Sequence, residues 1–447
     1  MRRFEAETDT ESDWCVGGFH AAMGVKTGAK CAKIAQSLLR TVNILLINQY
    51  YPPDSAPTGQ YLHDLAKALV LRGHTVTVIC SRRAYNGTEL YPPDERMDGV
   101  RVLRVRATGF GRRSGLGKLV DYGTFYLALS ARLLAPGSKP DVVLALTTPP
   151  HVGLLAAAAS WRHGAVHTHW VMDIYPDVLA AHGLLQADQR RYRLLAALTR
   201  RELRGSPLVL CLGDDMARRL RRYSSGAPDP VVAVPLWIHP DLAPWPAGDP
   251  PRFRAEQGWG PDDVVLMYSG NMGRGHRLGE FLAAAARFKD DRSIHWVFAG
   301  GGKRRGEVEA ALANDPALNL RLLPYAPSDR LREHLCSADV HLASLDAQWQ
   351  GCMVPSKLQG IFAVGKPLIF VGGRDNAPAQ WVEESGAGWV IPGNDVDALC
   401  AAVESARDAR ERTRRGAAAR AFAERTFDRA TNLDILCTRI EGCVRRS

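Results

Sequence analysis

Three glycine-rich turns stand where an apolar run gives way to a helical pattern. They are Gly270, Gly273 and Gly275 in YSGNMGRGHRLGEF, the triple glycine of FAGGGKRR (Phe298–Arg305), and Gly59 in SAPTGQ (Ser55–Gln60). Residues without a Cβ let backbone N–H groups close on a phosphate, and a strand-to-helix turn aims those groups at one point. Arg274 and His276 can add positive charge to the first turn, beside Asn271. A plain tight turn has the same composition. Three such turns at comparable strand ends are more telling than any one.

A fourth stretch, VPSKLQGIFAVGKPLIF (Val354–Phe370), predicts a short helix running into a strand. Pro355 falls near the first helical position, where its missing N–H costs nothing. Ser356 and Lys357 then lie in the first turn, and Gly365 ends the helix. A cation opposes the helix dipole at that end. A lysine there makes sense beside a bound anion, and the plain alternative is a side chain swung into solvent. HTHWVMDIYPD (His167–Asp177) is the densest polar cluster of the first half. His169 and Asp173 are its candidates for catalysis or substrate contact, because they lie at or just beyond a strand end. Packed histidines and an Asp177 that caps the next helix are the structural alternative.

Two acidic signals are discounted. Asp395–Asp397 (DVD) and Asp214–Asp215 in GDDMARRL each open a helix, so capping explains them. No set of ligands with metal spacing is evident, and no metal site is expected. The nine cysteines are scattered without a CxxC pair, which speaks against a disulfide framework and for a reducing, cytoplasmic setting.

The elements that must position these residues follow from pattern. A chain of 447 residues with 46% hydrophobic and 23% charged residues is of the globular class and long enough for two domains. VNILLI, TVTVIC, GVRVLRV, DVVLALT, AVHTHWV, LVLCLG and VVAVPL read as strands separated by helical stretches. After the Pro-dense WIHPDLAPWPAGDPPRF the series resumes with VVLMYSG, HWVFAGG, LRLLPY, VHLASL, PLIFVGG and GWVIPG. Continuous apolar runs alternating with helices predict α/β sheets, largely parallel, with ligands at the strand C-terminal ends. The expected division is a tail over 1–41, a first Rossmann-like domain over 42–240, a linker over 241–257, a second Rossmann-like domain over 258–425 and a final helix over 426–447. The tail has no signal-peptide h-region and reads as native extension or as a misplaced start. No apolar run reaches the roughly 20 residues of a membrane span. The net charge is +10, and Arg101–Lys118 holds six basic residues and no acid. Such a stripe fits an anionic membrane surface or a phosphorylated substrate, or is simply a solvated loop.

The motifs, taken in order, resemble a known family. INQYYPPDSAPTGQYLHDLAKALVLRGHTVTVI, HWVMDIYPDV, YSGNMGRGH, LPYAPSDRLREHLCSADVHLASL and VPSKLQGIFAVGKPLIFVGG are similar to the retaining GT-B glycosyltransferases of glycosyltransferase family 4, nearest the bacterial surface-polysaccharide and O-antigen subgroup. The resemblance runs from about Val42 to the C-terminus. It implies two domains facing across a cleft, the last helix returning to the first domain, a nucleotide-sugar donor on the second domain and an acceptor on the first. Polyprenyl-diphosphate-linked saccharide is the implied acceptor, on or near the inner membrane face, with no metal and no nucleic acid. Donor contacts are expected from Gly270, Asn271, Gly273, Arg274, His276, Tyr325, Pro355, Ser356, Lys357 and Gly360, and acceptor-side contacts from Tyr51, Thr58 and Gly59.

The chain departs from the family pattern at several of these positions. The family's basic pair falls at Asn271 and His276, its glutamate pair at Cys352 and Gly360, and its usual histidine at Met172. Charge on the diphosphate is then left to Arg274, His276 and Lys357. The ribose is left to Glu383, Glu384 or the backbone. Competing readings are a GT-B sugar-nucleotide epimerase and a nucleotide-binding protein of this fold without catalysis. A dinucleotide oxidoreductase is disfavoured, since no clean G-x-G-x-x-G follows the first strand.

Overall fold

The computed structural model describes residues 41–54, 56–84, 89–110, 115–135, 139–224 and 229–444. Of the expected tail only Thr41 falls within them. The apolar runs form two sheets. The first contains β1 (Asn43–Ile47), β2 (Thr75–Ser81), β3 (Asp94–Met97), β4 (Val100–Val105), β5 (Val142–Ala145), β6 (Val166–Trp170), β7 (Leu208–Cys211) and β8 (Val231–Ala233). Their order is β3-β4-β2-β1-β5-β6-β7-β8, parallel throughout except for β3 against β4. The second contains β9 (Val264–Ser269), β10 (Ile294–Ala299), β11 (Leu320–Leu323), β12 (Val340–Ser344), β13 (Leu368–Val371) and β14 (Gly388–Ile391) in the order β11-β10-β9-β12-β13-β14, with every pairing parallel. Central strands such as β5, β10 and β12 are buried at every position, because helices cover both faces.

In each sheet the chain reverses its direction of growth beside the first strand. β1 lies between β2 and β5, and β9 between β10 and β12. Loops diverge at such a switch and leave a crevice at the strand C-terminal ends. The crevice-side loops are tied by Gln49 N–H to Thr148 O (2.8 Å) in the first sheet and by Gly270 N–H to Ala299 O (2.9 Å) in the second.

The last helix, Arg429–Val444, leaves the second domain and packs on the first. Arg429 pairs with Asp64 at 2.6 Å, Asp64 also accepts from Trp237 Nε1 at 2.8 Å, and Glu441 accepts from Arg72 at 3.0 Å and bonds His74 at 2.9 Å. The helix before it, Ala409–Thr426, stays with the second domain, where Gly416 lies against Gly365. A Cβ on Gly416 would come within 2.3 Å of Gly365 O, so only glycine allows that approach.

Candidate functional site

The helix predicted from VPSKLQG spans Lys357–Ala363, with Ser356 as its N-cap and Pro355 just outside it, two residues before the first helical position. Lys357 turns inward across the cleft end of β9. Its Nζ sits 3.6 Å from the centre of the Tyr268 ring and has no contact with solvent and no hydrogen-bond partner. Burial alone pushes its pKa down to about 7. An unpaired buried ammonium is costly, and a ring face offsets only part of the cost. The same Nζ lies 3.7 Å from where a Cβ on Gly270 would stand, so the lysine and the glycine turn share one space.

That turn is built by close packing. Gly270 and Gly300 have φ of 124° and 130°. A Cβ on Gly300 would fall 2.1 Å from Gly270 O, and one on Gly302 would fall 2.5 Å from Asn271 Oδ1 and Met272 O. The turns after β9 and β10 therefore nest against each other. Tyr268 Oη donates to Asn271 O (3.0 Å), and Asn271 Nδ2 lies near Gly273. The Tyr325 ring stands beside Gly300 and Gly301, and the residue is 56% exposed.

His276 departs from its expected role as a cation. It is buried, its Nδ1–H donates to Ser344 O (2.7 Å), and burial lowers its pKa to about 3, so the ring is neutral. It braces the turn instead. Positive charge comes from exposed Arg274 and from exposed Lys303, which follows the triple glycine and carries no signal of its own in the sequence. Both act across the cleft on His182 of the first domain, whose pKa is lowered first by burial and then by Lys303, Arg274 and Lys118.

The positions of the absent glutamates are packed differently. A Cβ at Gly360 would stand 3.3 Å from Leu242 and 3.5 Å from Leu335, both apolar. Cys352 is fully buried against Arg219, with Sγ 2.8 Å from Nη1. Glu383 is engaged by Arg374 at 2.6 Å, and Glu384 lies 4.0 Å from Arg425.

On the first domain, Asp173, His151, Thr147 and Tyr175 line a small cavity together with His169 and Glu202. Asp173 is half-buried, and desolvation raises its pKa to about 6 against the pull of Lys118. His169 is wholly buried in the wall. Its Nε2–H donates to Glu202 O (3.1 Å), and burial holds it neutral. Met172 is core. Asp177 does not cap its helix. It takes Arg219 (3.0 Å) and the Tyr223 hydroxyl. Asp215 likewise leaves its own helix end uncapped and crosses to Gly351 N–H (3.1 Å) on the second domain.

Tyr51 is buried and hydrogen-bonded to His63 (2.9 Å), while Thr58 Oγ1 meets Asn48 Nδ2 at 3.4 Å. Gly59 lets its helix approach Tyr50, where a Cβ would stand 2.9 Å from the carbonyl oxygen. Ser55 lies outside the described residues. In the basic stripe, Arg101 pairs with Asp94 (2.7 Å) and buried Arg104 with Glu95. Two of its cations are thus structural, and Arg112 and Arg113 lie outside the described residues. Asp395 caps its helix as expected, accepting from Ala398 N–H (2.9 Å).

Residues 58–237 match the family described as "Glycosyl transferase 4-like domain", and residues 263–408 the one described as "Glycosyl transferases group 1". The chain is 25% identical over 365 residues to the Pseudomonas aeruginosa protein named "Probable glycosyltransferase WbjE", covering 81% of this chain and 88% of that one. Its fold is similar to that of WaaG, a glycosyltransferase involved in lipopolysaccharide biosynthesis, with a TM-score of 0.65 and 16% identity over 89% of this chain and all of WaaG. It is equally similar to Anabaena HepE in complex with UDP and glucose, with a TM-score of 0.65 and 15% identity over 90% of this chain and all of HepE.

Proposed function

This chain belongs to the GT-B glycosyltransferases, its first half glycosyltransferase 4-like and its second of group 1, and from that membership we propose that it moves a sugar from a nucleotide-sugar donor to a lipid-linked saccharide in cell-surface polysaccharide biosynthesis, with retention at the anomeric carbon. The observation that carries the donor side is the unpartnered, buried Lys357 Nζ beside the glycine turn after β9. A diphosphate is the ligand whose charge offsets that burial. HepE, of the same fold, holds UDP and glucose, and WaaG works in lipopolysaccharide biosynthesis; both support this reading. The sugar class we assign is a hexose, deoxyhexose or amino sugar on UDP or GDP.

In the proposed reaction the bond between the anomeric carbon and the diphosphate oxygen breaks, and its electron pair stays on that oxygen. Lys357, Arg274 and Lys303 stabilise the charge that develops there. The acceptor hydroxyl attacks from the same face. Its oxygen bonds the anomeric carbon, and its proton passes to the leaving phosphate, so no strong protein base is needed. Asp173, half-buried on the facing domain, is assigned to the acceptor. His169, walled off by Glu202, is assigned to support of that wall. Cations from side chains supply the charge that a divalent metal would supply, and we assign no metal to the reaction.

The acceptor's lipid is expected to bring the protein to a membrane surface. No described helix is long and apolar enough to cross one. The helix Gly115–Leu134 instead carries two apolar stripes. Phe125 and Leu129 enter the core, while Leu116, Leu119, Val120 and Leu127 stand exposed on the other side, with Phe110 before them. Arg106 is exposed before the helix, while Lys118 stands over the Tyr122 ring. The helix's one acid, Asp121, is turned to Thr108 and the Phe110 N–H, leaving an apolar face for a leaflet.

The test is a panel of UDP- and GDP-sugars, with and without a polyprenyl-diphosphate saccharide, read by thermal shift and product analysis. A donor that stabilises the protein and is consumed only with acceptor supports the transferase. A donor converted without acceptor supports the epimerase instead. Binding without turnover across the panel supports the non-catalytic reading.

A further inference from the structure

The segment Trp349–Val354 leads into Lys357 and is gripped from both sides. On its own domain, Trp349 and Met353 fill the space a side chain at Gly275 would take: a Cβ there would lie 2.9 Å from the Trp349 ring and 2.7 Å from Met353 Cε. On the other side four groups of the first domain reach it. Asp215 Oδ2 accepts from Gly351 N–H at 3.1 Å. Arg219 Nη1 reaches Cys352 Sγ at 2.8 Å while held by Asp177 at 3.0 Å. Ile174 N–H donates to Cys352 O at 3.1 Å. The His182 ring stands edge-on to Trp349, centres 4.5 Å apart.

Two glycines, one from each domain, make this approach possible. Gly351 has φ 69°, and a Cβ there would meet Asp215 O at 2.8 Å; a Cβ on Gly213 would meet Ala377 Cβ at 2.7 Å. Asp215, Asp177 and Cys352 are buried, so these contacts are made away from water, where an unpaired donor is costly. The neighbouring Arg218–Asp375 pair, at 2.7 Å, is exposed and contributes little.

We propose that Asp215 and Arg219 are positioning residues for the donor-phosphate site: from the first domain they fix Trp349–Val354, and with it Lys357, against the glycine turn of the second. Approach of the acceptor domain and formation of the diphosphate site are then one event. This rests on the reading of Lys357 as a diphosphate contact.

The test compares Asp215→Ala with Asp215→Asn in the full chain, since asparagine keeps an oxygen for the Gly351 N–H. Amide exchange across residues 349–357 is expected to quicken about tenfold in the alanine variant and stay near wild type in the asparagine one. Affinity for UDP or GDP, whichever wild type binds, is expected to fall about tenfold in Asp215→Ala and to be restored in Asp215→Asn. Unchanged exchange in Asp215→Ala overturns the inference. Faster exchange with undiminished nucleotide affinity also overturns it, and leaves the donor-site reading standing. If wild type binds neither nucleotide, the donor-site reading falls and the coupling falls with it.

Discussion

Lys357 Nζ lies on the face of the Tyr268 ring, 3.6 Å from its centre. The ring is itself fixed, stacked on Phe298 with centres 6.0 Å apart and anchored through its hydroxyl to Asn271 O. The ammonium therefore rests on a rigid apolar platform with its donors unused. Lys357→Met is expected to keep the packing and lose the charge. Its kcat/KM should drop about 100-fold, the scale of removing one preorganised group that meets developing charge. Near-wild-type turnover would remove Lys357 from the mechanism.

The same variant should unfold at higher temperature than wild type when no nucleotide is present. In the unfolded chain Lys357 keeps its proton to about pH 10.4, whereas in the folded chain it does so only to about 7. The unfolded state thus binds more protons between those values, and wild-type stability rises with pH across that window. The gap between Lys357→Met and wild type should shrink as pH goes from 7 to 10. A gap that widens would contradict the burial of this charge.

A diphosphate bound against Lys357 raises its pKa again. Binding at pH 8 should take up close to one proton, measured as the dependence of calorimetric enthalpy on the buffer's ionisation enthalpy. Lys357→Met should show no such uptake. Equal uptake in both proteins would place the proton elsewhere.

Leu116→Ser combined with Leu119→Ser and Leu127→Ser removes apolar surface that the fold does not use. Stability should change little. Sedimentation with vesicles rich in anionic lipid should fall several-fold, and high salt should weaken what remains. Vesicle binding that ignores both the leucines and the lipid charge would show that this face does not meet the membrane.

Gly300→Ala tests the nested turns. Its backbone conformation alone strains a side chain by about 1–3 kcal/mol, and the new methyl would strike Gly270 O. A lower urea midpoint and loss of nucleotide binding are expected together. A variant with normal binding would show that the turn after β9 does not depend on its neighbour.

The strands were legible as apolar-rich runs, some of them, such as β5, β7 and β13, uninterrupted and buried at every position. β3, DERM, was not, since an antiparallel edge strand of charged residues has no such pattern. Lys357 could be found from its place in a first turn, and the burial of its Nζ could not, because Tyr268 comes from another strand. The neutrality of His276 follows from burial in the folded chain, where its Nδ1–H meets Ser344 O, 68 residues away, and the crossing of Asp215 follows from Gly351, 136 residues away. Local pattern assigned Asp177 and Asp215 to capping, as it assigned Asp395. Only partners distant in sequence distinguish them: Arg219 and Tyr223 for Asp177, and Gly351 across the cleft for Asp215.

The chain passes between its two halves twice, once after Trp237 and once at Phe427, and the two passages are joined by Ile238 N–H donating to Phe427 O at 3.0 Å. Two crossings at one place act as a single pivot, like a door hung along one edge. Opening by rotation there would carry the first sheet away from Trp349–Val354 as a body. A rotation about Ile238 and Phe427 would keep this hydrogen bond while the far side of the cleft parted.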